Sequence, residues 1–209
     1  MKKSTRTAKR AATSKKVPAI SCTSILIAGV GGQGIILASE ILSDALLHAG
    51  FDVKKNEIHG MSQRGGSVTS HIRFGKKVYS PIIPDGTADF ILAFERLESL
   101  RELPLLRNGG TVIVNNEKMI PTTVEFGGRV YPEDIETPLR KTAADVVVVN
   151  AVEEARTIGN QRVFNVLLLG VLAARLKISE DAWMKAIEAH VKPEHRENNL
   201  KAFARGREL

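Results

Sequence analysis

Gly29-Val30-Gly31-Gly32-Gln33-Gly34 follows a short apolar run and precedes a stretch with helical spacing. Glycines at such a junction permit positive φ and close approach of the backbone to a ligand, and the first amides of the helix are free to hold an anion such as a phosphate. Gly29, Gly31, Gly32, Gln33 and Gly34 are therefore candidate cofactor- or anion-binding residues. The spacing also fits G-x-G-x-x-G, and Glu57, 23 residues past Gly34, could act as the ribose-binding acid of a dinucleotide site. The same glycines would serve a ligand-free turn that only packs a helix on a strand or meets another subunit.

A second constellation runs from Ile58 to Ser67 and is dense in glycine and polar side chains. Arg64 offers a planar fork for a carboxylate or phosphate, Gly60, Gly65 and Gly66 let backbone come close, and Gln63 and Ser67 can donate hydrogen bonds. His59 could exchange protons near neutral pH, although a lone His is more often a hydrogen-bonded structural residue. These seven residues form a candidate substrate or subunit-interface loop. No metal site is expected: Cys22 is the one cysteine, whereas iron–sulfur clusters and structural zinc need several thiolates or His at short spacing. Cys22 itself reads as a small buried hydrophobe beside a strand.

The elements that must position these groups follow from the apolar spacing. Ser24 to Gly29 reads as a buried parallel strand, and Leu37, Ala38, Ile41, Leu42, Ala45, Leu46 and Ala49 as one face of a helix stopped by Gly50. Phe51 to Ile58 is a second strand, completing a Rossmann-like βαβ unit. Ser67 to Phe74 and Lys77 to Tyr79 flank Gly75-Lys76 as a β-hairpin added to the sheet. Ala88 to Phe94, Thr111 to Val114 and Asp145 to Val149 are further strands, with Val146 to Val149 central, and Glu95 to Arg107 is a helix interrupted by Pro104. From Val163 the pattern turns helical, first to Leu176 and then, capped by Ser179, to about Val191; a polar segment follows Pro193. The fold class is α/β: an open, mainly parallel sheet with helices on both faces and a helical C-terminal part.

With 209 residues, 43% hydrophobic and 25% charged, the chain has the balance of one globular domain. The net charge of +7 matches the seven bases among the first 17 residues, which hold no acid, so the remainder is electroneutral. We read residues 1–20 as a disordered basic tail and 21–209 as a single α/β domain, with no nucleic-acid partner. The longest apolar runs, such as Val166 to Ala174, are too short to cross a bilayer, and no secretory leader is evident. A cytoplasmic protein is expected.

The glycine turn, the stretch Glu57 to Val68 with its His-Gly-Met-Ser-Gln-Arg-Gly-Gly core, Tyr79-Ser80-Pro81-Ile82-Ile83-Pro84, Ala88-Asp89 and Ala93-Phe94-Glu95 occur in that order. Together they resemble the gamma-type domain of the 2-oxoacid:ferredoxin oxidoreductases, and the His59 to Gly66 stretch resembles the indolepyruvate branch. The likeness continues to Gly159-Asn160 and Asn165 to Gly170. It implies a small subunit, inactive alone, of a heterodimer or heterotetramer that oxidatively decarboxylates an arylpyruvate to an acyl-coenzyme A. Thiamine diphosphate, magnesium and 4Fe-4S clusters would reside on a large partner, electrons would pass to ferredoxin, and coenzyme A would meet the loops at the interface.

Pro84-Asp85-Gly86 with Asn115-Asn116 imitates a thiamine diphosphate motif, but proline replaces its first glycine, so Asp85-Gly86 reads as a turn. Asn160 reads as a helix cap. Two other readings stay open: a stand-alone Rossmann-type NAD(P)- or flavin-dependent oxidoreductase, and a purely structural subunit.

Overall fold

The structure, a computed structural model, describes residues 22–59, 65–120 and 130–209; of His59 only the backbone is described. The basic tail, Gly60, Gln63 and Arg64 lie outside the described residues.

Strand β1 (Cys22–Val30) leads through the glycine turn into α1 (Ile35–His48). Ile35, Ala38, Ile41, Leu42, Ala45 and Leu46 are buried beneath α1, as their three- and four-residue steps require. The helix ends in a Schellman arrangement: Gly50, at φ 87°, donates to Leu47 O at 2.9 Å and Phe51 N donates to Leu46 O at 3.1 Å. Strands β2 (Asp52–His59), β3 (Ser67–Gly75), β4 (Ala88–Ala93), β5 (Leu106–Asn115) and β6 (Asp145–Val149) complete one sheet in the order β2-β3-β1-β4-β5-β6. The β1–β4, β4–β5 and β5–β6 pairs are parallel, and β3 is antiparallel to both β1 and β2.

Three expectations are corrected. The hairpin is formed by β2 and β3, in register from Asp52 opposite Gly75 to His59 opposite Val68, and not by β3 with Lys77 to Tyr79. The chain after Gly75 leaves the sheet because Arg73 holds it as a loop, donating to Ser80 O at 3.1 Å and Ile82 O at 3.3 Å. Consequently β1 and β2, though parallel, are separated by β3. Second, Val146 to Val149 lie on an edge strand; Val147 meets one core layer and Val146 and Val148 the other, so the apolar run reports two covered faces and not two neighbouring strands.

Third, the helix expected over Glu95 to Arg107 ends at Arg101, and Leu106 and Arg107 already belong to β5; the polar segment after Pro193, which the spacing assigns to no element, is a further helix of the helical C-terminal part. Short helices α2 (Arg96–Arg101), α3 (Glu136–Thr142) and α4 (Ala151–Thr157) precede α5 (Phe164–Ala173), α6 (Glu180–His190) and α7 (Arg196–Arg207). Ser179 caps α6 as expected, accepting from Ala182 N at 3.4 Å. Helix α7 buries only Asn199, Ala202, Phe203 and Gly206, a stripe too narrow to announce itself in the sequence. Gly170 of α5 faces Gly206 at this crossing, where a Cβ on either would overlap a backbone carbonyl of the other helix.

The main core lies between the sheet and α1, α5, α6 and α7, and a smaller one, with Leu26, Ile91, Val112, Ile135 and Leu139, fills the opposite face. Helices therefore cover both faces. No described helix is long and apolar enough to cross a membrane.

Candidate functional site at the strand carboxyl ends

Parallel strands β1, β4, β5 and β6 end on one edge of the sheet, the edge at which open α/β sheets bind ligands. Because β3 runs the other way, its start also lies there. Gly31 N donates to Gly66 O at 2.9 Å, so the glycine turn and the end of the second loop are joined by backbone.

Within the turn the residues divide their work. A Cβ on Gly29 would lie 2.7 Å from Gln33 Oε1 and 2.9 Å from Phe94 Cβ, which makes Gly29 a packing residue. Gly34, at φ 80°, is the left-handed N-cap of α1, and the Asn165 side chain occupies the place of its missing Cβ. Gly32, at φ 105°, is exposed, with open space where a Cβ would point. The turn thus offers backbone to solvent at Gly32 and the unpaired first amides of α1 behind it.

Gln33 is buried and spends both ends of its amide on the backbone: Oε1 accepts from Val30 N at 2.8 Å, and Nε2 donates to Phe94 O at 3.1 Å. Gln33→Leu takes the acceptor from Val30 N and leaves Phe94 O with Asn115 Nδ2 as its remaining side-chain donor, and we expect a loss of about 2 kcal/mol in chemical denaturation. An unchanged midpoint would show that the turn closes without this bridge.

Ser67 begins β3 and donates to Glu98 Oε2 at 2.5 Å; the buried Glu98 also pairs with Arg101 at 2.6 Å. Gly65, at φ 73°, takes the left-handed conformation that favours glycine.

A cleft of about 250 Å³ opens beside the turn, lined by Gly32, Gln33, Glu117, Met119, Arg156 and Arg162, with Phe164. A neighbouring space of about 400 Å³ adds Gly34 and Asn165. Arg162 borders both and also a cleft of about 470 Å³ on the helical flank, beside His190, Lys192 and His195. Its backbone N donates to the Asn160 cap at 3.0 Å, whereas its guanidinium has no hydrogen bond or ion pair among the described residues. Arg156 Nε donates to Gln161 Oε1 at 3.3 Å. Neither arginine stood out in the sequence, because they lie in and after a short helix whose nearness to the glycine turn depends on contacts such as Asn165 with Gly34, 131 residues apart.

Glu57 does not fit a ribose-binding role. Strand β3 separates it from β1, about 10 Å away at ordinary strand spacing, and its carboxylate is taken by Ser39 Oγ at 3.1 Å and Lys55 Nζ at 2.9 Å. Asp85 and Asn115 lie at opposite ends of the sheet. The Asp85-Gly86 pair is a turn, with Thr87 N donating to Pro84 O at 3.2 Å, and Asn115 binds Phe94 O and Ala151 N, each at 3.1 Å. Arg73 Nη2 lies 2.9 Å from Cys22 Sγ. Among the described residues no three His, Cys, Asp or Glu side chains converge as a metal site.

The pattern of the pyruvate ferredoxin/flavodoxin oxidoreductase family matches residues 24–209. The chain belongs to this family. Indolepyruvate oxidoreductase subunit IorB of Thermococcus kodakarensis is 38% identical over 189 residues, covering 87% of this chain and 93% of the relative. The Archaeoglobus fulgidus IorB subunit is 39% identical over 186 residues, covering 87% and 92%. Among solved structures, the gamma subunit of a keto/oxoacid ferredoxin oxidoreductase from Geobacter sulfurreducens matches with a TM-score of 0.66 at 25% identity, covering 89% of this chain and 96% of that one. A 2-oxoglutarate:ferredoxin oxidoreductase from Magnetococcus marinus, solved with 2-oxoglutarate, coenzyme A and succinyl-CoA, shares the fold with a TM-score of 0.71 at 21% identity; the match covers 90% of this chain and 30% of that one. The protein is thus a subunit of a 2-oxoacid:ferredoxin oxidoreductase, and the gamma-type resemblance read from its two loops holds.

Proposed function

We propose that this family member is the small subunit of an arylpyruvate:ferredoxin oxidoreductase and that its strand-end edge completes the active-site cleft of a larger partner. The joining of the glycine turn to the second loop by Gly31 and Gly66 carries this reading. It brings the glycine turn and the chain entering β3 to one edge, and the turn borders a cleft whose Arg162 has no intrachain partner among the described residues. The carboxylate of a 2-oxoacid and the phosphates of coenzyme A are anions. The first amides of α1, Arg162, Arg156 and Arg64 are the groups in this chain that would hold them.

Decarboxylation and electron transfer are assigned to thiamine diphosphate, magnesium and 4Fe-4S clusters on the partner. This chain's single cysteine cannot supply a cluster's thiolates. Its residues bind and orient: backbone at Gly32 admits close approach, and the arginines neutralise charge that would otherwise be desolvated in the closed complex. Ser67, at the start of β3, borders the same edge.

The test is anaerobic capture of the tagged chain from its own organism. A larger partner bearing iron and thiamine diphosphate, with arylpyruvate- and coenzyme A-dependent reduction of a viologen dye, is the expected result. A lone chain that binds a nicotinamide or flavin would overturn the proposal. In the captured complex Arg64→Ala should lower turnover without preventing assembly; unaltered kinetics for every substrate would remove Arg64 from the ligand set.

A further inference from the structure

Glu95, the residue after β4 and Phe94, is fully buried, forms no ion pair among the described residues, and accepts four hydrogen bonds. Leu97 N at 2.6 Å and Glu98 N at 3.1 Å donate to Oε2 and cap α2. Met119 N at 3.1 Å and Tyr131 Oη at 2.5 Å donate to Oε1. Burial pushes the Glu95 carboxyl above the usual range, and these four hydrogen bonds pull it back. Burial, reinforced by Glu95, also raises the Tyr131 phenol, which stays a donor at neutral pH.

Capping α2 uses one oxygen; the other ties down the chain leaving β5. That chain places Glu117 and Met119 in the cleft wall beside Gly32 and Gln33. On the other side, the Phe94 carbonyl receives both Gln33 Nε2 and Asn115 Nδ2 at 3.1 Å. Consecutive residues therefore hold the glycine turn and the opposing wall in fixed relation. Met119 is 41% exposed, apolar and shares this wall with Phe164.

We propose that Glu95 is a positioning residue for the 2-oxoacid reaction: through the Met119 amide it fixes the apolar wall that receives the aromatic side chain of the substrate. This rests on the subunit reading above. Glu95→Gln separates the roles by hydrogen-bond chemistry. The new amide can cap α2 with Oε1 and donate to Tyr131 with Nε2, but it then turns an N–H toward Met119 N–H. Tyr131→Phe leaves the Met119 bond in place.

In the assembled complex Glu95→Gln is expected to raise KM for arylpyruvates about tenfold relative to a short aliphatic 2-oxoacid, the effect of about one hydrogen bond, with little change in kcat. Tyr131→Phe is expected to lower the melting temperature without that selective change. In the full chain, NMR should show faster amide exchange at Met119 in the Gln variant and unchanged exchange at Leu97 and Glu98. Unaltered Met119 exchange, or equal KM changes for both substrate classes, would overturn the proposal. Should Glu95→Gln not fold, Met119→Ala tests the same wall: a KM rise confined to arylpyruvates supports it and a uniform rise sinks it. A wild-type complex without 2-oxoacid oxidation would bring down the subunit reading itself, whereas an active wild type with an unaltered variant refutes only the role of Glu95.

Discussion

Gly206→Ala is expected to cost about 3 kcal/mol and to lower the melting temperature by roughly 10 °C. A methyl on Gly206 would overlap the carbonyl oxygen of Leu167 and lie 3.1 Å from Gly170 Cα, so the obstacle is backbone that no rotamer change can move. Relief requires α5 and α7 to separate, or the last turn of α7 to unwind. Unwinding surrenders the Arg205–Glu154 pair at 2.8 Å and the Arg207–Glu180 pair at 2.6 Å. Gly50→Ala is the control: its φ of 87° is strained for alanine, but the space around it is open, and the expected loss is about 1 kcal/mol. Equal losses at the two positions would show that the helix crossing does not set stability.

Arg162→Ala is expected to leave folding intact and to reduce kcat/KM of the assembled enzyme by roughly 10- to 100-fold, the worth of one or two hydrogen bonds to a charged group. The two halves of this expectation come from one observation: the guanidinium has no partner among the described residues, yet it borders the clefts at Gly32 and Gly34. Arg162→Lys should recover part of the loss by keeping the charge without the planar fork. Steady-state kinetics with the 2-oxoacid and coenzyme A varied separately would show which anion it meets. Unchanged constants for both would move the anion site to the second loop and Arg64.

Local signals in the sequence specified local structure well. The apolar run of β1, the three- and four-residue steps of α1 and its Gly50 stop all reflect short-range physics, and each appears where expected. Relations between distant segments were harder to read. Nothing in Ser67 to Phe74 distinguishes a strand that pairs forward with Lys77 to Tyr79 from one that pairs back onto β2, because alternation reports faces and not partners. The valines of β6 hid an edge strand for the same reason, and α7 escaped because it packs through a glycine.

At the site, the glycines of the first turn were legible because backbone that must take positive φ restricts residue type. Gln33 was legible as a member of the motif but not as its internal clasp. Arg156 and Arg162 were silent, and Glu95 was legible only as part of the Ala93-Phe94-Glu95 stretch and not as a clasp, since arginines in and after a short helix and a glutamate after a strand have many ordinary uses. Only the chain's return from β5 and α4 to the glycine turn gives them a common neighbourhood.

The placement of β3 beside β1 also bears on how the molecule is made. During synthesis β1 emerges first, yet its partners on both sides come much later, Cys22 waiting for Gly75 and Ile25 for Phe90. The β2–β3 hairpin is local and can close before either. The apolar segment Ile25 to Ala28 therefore has α1 available as an early cover, while its strand neighbours arrive only once β3 and β4 have been made.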